Sequence, residues 1–491
     1  MSSLPNIVFL MPDQLRSDFL SCYGANFIST PNIDSLAAEG IRYERAYSAS
    51  PVCVPARASL LTGLNAIRTG VLDNGLWLRP DLAACGLRTW PEYLNEQGYY
   101  TAGVGKMHFY PWDINHGLQY RVIAEDKRWL QVRDDYYHFL RRHGHRKYHG
   151  NEHEGYYENR GAIVNRLPWE LSVDHFVGIE ACRFIDTYGG DGPFAMMVGF
   201  PGPHCPYDPC QEYLDRIDAG IMPPAIPEVE GDTPLLRQEN IEGNLRPWNG
   251  VDYTEFTDEH KRKIRAHYAA SVLQIDVEVG KILASLRKKG LFDNTVIIFA
   301  SDHGDYLGDH NLIGKGQFYE SSTHVPLIVR PAGGGTAQVH RDVVGLGDVT
   351  ATILRLGGCE VPEWFDSMPL PRLGLGDDRG REIYFGMVAG GWMAFDGKWK
   401  LCKYSTGEHL LFDLEADPQE QKNLIRNPAA REVLSRLDAA LTTEIMRSVL
   451  DSVAERRVYT VDKSGDPIFG REGWQRPYPR KIAQPATLGR G

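Results

Sequence analysis

The sequence predicts an α/β fold: a large mixed, mostly parallel sheet sandwiched by helices, with a smaller C-terminal α+β subdomain on a short antiparallel sheet. Three observations carry this reading. Short apolar, β-rich runs end abruptly in polar loops, as buried parallel strands do. Segments with helical periodicity lie between those runs. Beyond about residue 376 the pattern changes to short strands followed by one further helix. The expected organisation is a main domain over 1–375 with an insertion or lid at 109–176, a small subdomain over 376–455 and an extended tail over 456–491.

Taken in order, Asn6 to Met11 is the first strand, and it delivers Pro12-Asp13-Gln14 at its C-terminal end. Phe194 to Phe200 ends likewise in Pro201-Gly202-Pro203-His204, and Thr295 to Ala300 ends in Ser301-Asp302-His303. Ligands of open α/β sheets bind at the carboxyl ends of strands, so three such loops bearing metal-type or acid-base side chains predict one shared site. Pro31 to Glu39 and Thr89 to Gln97, each followed by glycine, are short helices. Thr257 to Lys289 is a long one, apolar at Ile264, Tyr268, Val272, Ile275, Val279, Ile282, Leu283 and Leu286. Phe109 to Phe176 is rich in aromatic residues and carries His116, His138, His143, His145, His149, His153 and His175. Their irregular spacing and the interleaved arginines favour a lid, or a subunit contact, over a metal site. Glu382 to Met387 and Lys398 to Tyr404 are short strands, Ala429 to Val453 is a helix, and Gly465 to Gly491 is a tail of the kind that lies across a neighbouring subunit.

Hydrophobic residues at 42% and charged residues at 24% of 491 permit a sizeable core. With 53 basic against 64 acidic residues, the formal net charge of −11 argues against nucleic acid as a partner. Local positive charge could still gather a small anion. No secretory signal and no apolar run long enough to span a bilayer is visible, so the expectation is a cytoplasmic protein with no membrane partner. The eight cysteines are spread thinly and are expected to be reduced thiols, with Cys205 and Cys210 the pair to check first.

One stretch organises the rest. Cys53 stands before Pro55 and Arg57, followed by Leu61-Thr62-Gly63. Read on its own, Cys53 is either a buried free thiol or a thiolate favoured by a helix N-terminus and an adjacent guanidinium. Cys-x-Pro-x-Arg with Leu-Thr-Gly, however, resembles the modification motif of the type I sulfatases, in which the cysteine is oxidised to formylglycine. The likeness continues at Gly98 to His108 and at Ser301-Asp302-His303-Gly304-Asp305, and more weakly at Asn6 to Asp13 and at Leu411-Phe412-Asp413-Leu414 with Asp417-Pro418. The chain is thus identified as a member of the formylglycine-dependent sulfatases of the alkaline phosphatase superfamily, close to the choline sulfatase, arylsulfatase and phosphonate monoester hydrolase branch.

The resemblance implies an alkaline phosphatase-like fold and hydrolysis of a small aryl or alkyl sulfate monoester. It places a formylglycine hydrate at Cys53, made by a formylglycine-generating maturation enzyme. One hydroxyl attacks sulfur, and deprotonation of the other expels sulfate. Asp13, Gln14, Cys53, Asp302 and His303 would hold one divalent metal ion, calcium or manganese, with magnesium and zinc also open. Many sulfatases have a second aspartate at the position of Gln14 and asparagine at that of His303; both departures disfavour calcium. Arg57 would hold the hydrate, Lys106 and Lys315 the sulfate oxygens, His108 would take a proton from the hydrate, and His204 would help protonate the leaving group. Asn74, otherwise a turn residue in Asp73-Asn74-Gly75, matches an asparagine that lines the site in the phosphonate branch. The alternative activity is phosphonate monoester or phosphodiester hydrolysis, but Lys106 and His108 favour sulfate, because that branch has uncharged hydroxyl-bearing residues there. A non-catalytic metal-binding relative would lack a catalytic residue, and none is missing. A thiol enzyme using unmodified Cys53 would need His108 as its base. A homo-oligomer, dimer or tetramer, is expected.

Overall fold

An eight-stranded sheet forms the middle layer of the computed structural model, which describes residues 4–229, 232–376, 378, 380–456, 459–461 and 467–469. Its strands are β1 (Asn6–Asp13), β2 (Ile41–Tyr43), β3 (Tyr100–Gly105), β4 (Tyr120–Ile123), β5 (Phe194–Pro203), β6 (Thr295–Ala300), β7 (Leu327–Arg330) and β8 (Gln338–His340). They lie side by side in the order β8-β2-β7-β6-β1-β5-β3-β4. β1 is parallel to β5 and β6, β3 to β5 and β4, and β8 to β2, while β7 runs antiparallel to both its neighbours. The sheet is therefore mixed and mostly parallel.

All eight residues of β1 are buried, because the sheet is covered on both faces. Val8 and Leu10 point into one core with Val104, Val198, Ile297 and Phe299. Ile7, Phe9 and Met11 point into the other with Met197, Val296 and Ile298. The helices that supply the covering layers are α1 (Pro31–Ala38), α2 (Cys53–Thr62), α3 (Trp90–Glu96), α4 (Val173–Thr187), α5 (Asp258–Lys288), α6 (Asp348–Leu356) and α7 (Arg431–Glu455). α1, α4 and α5 close the first core through residues such as Leu36, Val177 and Ile275. α2, α3 and α6 close the second through Leu60, Leu94 and Ile353. Each such side chain contributes roughly 1.5–3 kcal/mol on burial. The long α5 starts cleanly because the Thr257 side chain accepts from the His260 N–H, with Asp258 and Glu259 in the first turn and Arg287 and Lys288 in the last, matching the helix dipole.

A four-stranded antiparallel meander, β9 (Tyr384–Val388), β10 (Gly391–Phe395), β11 (Trp399–Tyr404) and β12 (His409–Asp413), forms the small C-terminal sheet. α7 covers one face through Leu437 and Leu441 against Ala394, Leu401 and Leu411. The other face meets the main sheet's loops through Met393, Phe395 and Phe412 against Tyr47, Tyr306 and Phe318. Of the stretch expected as a tail beyond residue 456, only Tyr459–Val461 and Pro467–Phe469 are described, as an antiparallel pair. The rest of that tail, and its placement across a neighbouring subunit, lies outside the described residues.

Segment 109–176 contains β4, the helix Asp135–Arg142 and short turns. Two of its histidines bond to nearby carbonyls, His143 Nδ1 to that of Phe139 and His153 Nδ1 to those of His149 and Gly150, while His175 Nδ1 meets Glu278 Oε1 at 2.9 Å. Cys205 and Cys210 carry no mutual disulfide. No helix among the described residues is long and apolar enough to cross a membrane.

Candidate active site

The loops after β1, β3, β5 and β6 meet the N-terminus of α2 at one edge of the sheet. Pairing continues past the apolar runs, with β1 reaching Asp13 and β5 reaching Pro203 across a register shift between Pro12 and Asp13. Asp13 is the last paired residue, opposite Pro203, and Gln14 just beyond it takes a left-handed backbone with φ of 69°. The β1 and β6 loops are then tied together: Gln14 N–H donates to Asp302 Oδ1 at 2.9 Å, and Leu15 N–H to Ser301 Oγ at 2.8 Å.

Arg57 lies one turn after Cys53 on α2 and is the hub of the site. Its Nε donates to Asp302 Oδ2 at 2.9 Å, its Nη2 to Asp13 Oδ2 at 3.0 Å and its Nη1 to the Lys106 carbonyl at 2.6 Å. Lys106 Nζ also pairs with Asp13 Oδ2, at 2.8 Å. Asp13, Gln14, Asp302 and His303 have no exposed surface and Cys53 has 1%. Such charges are tolerated in the interior because they are paired and fully hydrogen-bonded.

His303 Nε2 sits 3.1 Å from Cys53 Sγ, and its Nδ1 lies 2.9 Å from the Gly304 carbonyl. A carbonyl only accepts, so Nδ1 carries a proton and the ring is oriented with Nε2 facing Cys53. Cys53 Sγ is 3.8 Å from Asp13 Oδ1. Burial opposes a thiolate at Cys53, but Lys315, His303 and Lys106 outweigh it and hold the thiol well below its ordinary value. Burial and the Cys53 charge oppose ionisation of Asp13, yet Lys106 and Arg57 hold it below the usual carboxylate range. Burial and the neighbouring Asp13 push Asp302 up.

Across the site, Lys315 Nζ donates to His204 Nε2 at 2.7 Å and also to Gln14 Oε1. His204 Nδ1 lies 2.7 Å from the Cys205 carbonyl, so its proton is there and Nε2 accepts. Burial first, then Lys315 and Arg128, lower His204 to about 3. His108 also has a left-handed backbone, φ 59°, held by Glu125, whose buried carboxylate accepts from the Met107 and His108 N–H groups at 3.3 and 3.0 Å. The His108 ring stacks on Trp112, Tyr110 Oη lies 3.4 Å from Nε2, and its buried Nδ1 has no partner.

Every residue the sequence singled out thus lies in or beside this cluster. Asn74 differs in its use: Oδ1 accepts from the Val54 N–H at 2.9 Å, so it caps α2. Glu125, Asp305, Tyr207 and Tyr110 were missed. Asp305 closes the Ser301 to Asp305 motif and could have been found there; Glu125 and Tyr207 carry no local signal.

Asp13, Cys53, Asp302 and His303 present ligand atoms that all lie within 4.8 Å of one another, the one such group of three or more among the described residues. Two buried carboxylates and an oriented imidazole fit a divalent cation, whose charge would relieve the repulsion that raises Asp302.

Comparison with known proteins bears on this geometry. A family model described as "Sulfatase" matches residues 5–359, and one described as "N-sulphoglucosamine sulphohydrolase, C-terminal" matches 308–447. A choline-sulfatase of Rhizobium meliloti (strain 1021) is 32% identical over 450 residues, covering 86% of this chain and 83% of that protein. An arylsulfatase of Clostridium perfringens is 30% identical over 473 residues, covering 90% and 94%. The solved phosphonate monoester hydrolase of Agrobacterium radiobacter superposes with a TM-score of 0.76 at 23% identity, over 95% of this chain and 100% of that one.

Proposed function

This chain belongs to the sulfatase family of sulfuric ester hydrolases, and on that premise we propose that it hydrolyses a small aryl or alkyl sulfate monoester with formylglycine at Cys53 as nucleophile. The observation that carries the reading is the convergence of Asp13, Cys53, Asp302 and His303 beside Arg57, Lys106 and Lys315. Sulfate is a tetrahedral anion with a poor alkoxide or phenoxide leaving group, so a site needs donors for its oxygens, a nucleophile and a proton source.

The formylglycine hydrate would offer two hydroxyls on one carbon, one to attack sulfur and one whose deprotonation expels sulfate. A divalent ion held by Asp13, Gln14, Asp302, His303 and the altered Cys53 would supply Lewis acidity and fixed positive charge. Lys106, paired with Asp13, and Lys315, bonded to Gln14 and His204, both act on Cys53 and would hold the non-bridging oxygens, and Arg57 fixes both carboxylates. His108 would take the proton from the second hydroxyl of the hydrate as the C–O bond to sulfate breaks and the aldehyde re-forms, a role supported by its buried, unpartnered Nδ1. The leaving oxygen draws its proton from the Lys315–His204 pair, where the ammonium is the charged member and His204 is held neutral by burial. Conversion of Cys53 calls for a formylglycine-generating enzyme as partner.

Gln14 and His303 among the donors, with the phosphonate monoester hydrolase likeness, support a side activity on phosphonates. One metal-replete preparation assayed with an aryl sulfate, an aryl phosphonate monoester and a phosphodiester tests the ranking: kcat/KM is highest for the sulfate, and a wide phosphonate lead overturns it. Mass analysis of the Cys53 peptide should show loss of sulfur and gain of oxygen. A fully active chain that keeps its thiol overturns the mechanism.

A further inference from the structure

A glutamine placed against a metal position must present its oxygen and not its nitrogen, and nothing in the residue itself decides which. In this chain the decision is made two atoms further out. Gln14 Nε2 donates to Asp305 Oδ2, and Lys315 Nζ donates to Gln14 Oε1 on the other side. Asp305 has no exposed surface and its carboxylate is saturated: Oδ2 also accepts from Tyr207 Oη at 2.8 Å, while Oδ1 accepts from the Leu307 and Gly314 N–H groups at 3.0 Å each.

We infer that Asp305 is a positioning residue that sets which end of the Gln14 carboxamide faces the metal position. An acceptor-only carboxylate can take only the NH2 end of the amide, so Oε1 is left facing Lys315, in a residue whose own N–H is bonded to Asp302. Tyr207 shares the same oxygen and fixes its direction. The inference rests on the reading above that Gln14 is a metal ligand.

The geometry makes the consequence of Asp305→Asn unusually definite. The Leu307 and Gly314 N–H groups can only donate, so they hold the asparagine oxygen on their side. Its NH2 group is then left facing Gln14, which must turn over to offer Oε1, bringing Nε2 to the metal position and against the Lys315 ammonium. An amide nitrogen carries hydrogens there and no usable lone pair.

The test titrates Mn2+ by calorimetry into the full chain stripped of metal by chelator, with folding checked by circular dichroism. D305N weakens Mn2+ binding by about ten- to a hundredfold, the usual cost of losing an outer-shell partner. The exchange Gln14→Glu with D305N restores affinity to within about threefold of the parent chain, because a carboxylate has no wrong end and accepts from the asparagine NH2. D305N that binds Mn2+ as the parent does, or an exchange variant no tighter than D305N, overturns the inference. Should D305N fail to fold, a folded Q14E/D305N chain binding more than about tenfold weaker than the parent overturns it equally. Gln14→Met separates the two levels: parent-like affinity in Q14M sinks the ligand reading of Gln14 along with this inference, whereas a weakened Q14M beside an unchanged D305N sinks this inference alone.

Discussion

Val52, which precedes the first turn of α2, has no side-chain oxygen to offer, so the amide of Val54 takes Oδ1 of Asn74 from a loop twenty positions on. Asn74 thereby acts as a helix cap delivered from outside the helix, at the end that carries Cys53. Asn74→Ala should cost about 1 kcal/mol in denaturant unfolding, the usual loss for a missing cap, and Asn74→Asp should restore it, since a carboxylate accepts the same N–H. An unchanged midpoint in Asn74→Ala would show the bond to be dispensable. The family motifs brought Cys53, Arg57, Asp302 and His303 forward as candidates, and residues on one turn or one strand end stay neighbours in any fold. They could not find Glu125, which reaches the His108 backbone across the β3–β4 connection, or Tyr207, which meets Asp305 from 98 positions away. Such contacts are set by the packing of strands and leave no local pattern. Asn74 shows the converse, a residue whose type pointed to the site while its atoms serve the helix.

At the scale of elements, the junction of β3 and β5 is the tightest part of the site. A Cβ added to Gly199 would lie 2.0 Å from the Lys106 carbonyl oxygen, and one added to Gly105 would lie 2.1 Å from the Gly199 carbonyl. Gly105 also has φ of 91°, a conformation that favours glycine. The Lys106 carbonyl accepts from Arg57, and the Lys106 N–H donates to the Gly199 carbonyl at 2.8 Å, so the two strands and α2 share one small set of backbone atoms. Gly199→Ala must push Lys106 away from Arg57 and Asp13. We expect kcat/KM for an aryl sulfate to fall by at least about tenfold, as small misplacements of a site residue do, together with a lower melting temperature; full activity with unchanged stability would refute the account. The strands and long helices themselves were legible, since apolar runs and the 3.6 period survive without knowledge of the fold. What was not legible was how far β1 and β5 run, because Pro12, Pro201 and Pro203 read as strand ends while the ladder continues through a shift of register.

At the scale of the molecule, the small sheet is joined to the main domain by a buried charge cluster. Lys400 on β11 has no exposed surface and meets Glu320 at 2.7 Å and Glu420 at 2.6 Å. One ammonium cannot balance the buried Glu420 and the half-buried Glu320 together, and burial pushes Glu420 up from 4.5 to about 7. The folded chain therefore holds a proton that the unfolded chain has already released between those values, so this group's contribution is present below about pH 4.5 and is lost as pH rises through about 7. Relative to Glu420→Gln, the parent chain should lose roughly 1–3 kcal/mol of stability between pH 5 and 8. Parallel curves for the two chains in denaturant titrations would show that Glu420 is ionised throughout. The order of layers and the division into a large and a small sheet were readable from the change of pattern near residue 376, but this seam was not, since Glu320, Lys400 and Glu420 look like surface charges in the sequence. The left-handed backbones of Gln14 and His108 have a consequence at this same scale. Each costs on the order of 1–3 kcal/mol and persists only because its surroundings over-determine it. The two strand ends are therefore held like drawn springs by the core beneath them, and a chain that drifted toward greater stability would relax there first, giving up its chemistry before its shape.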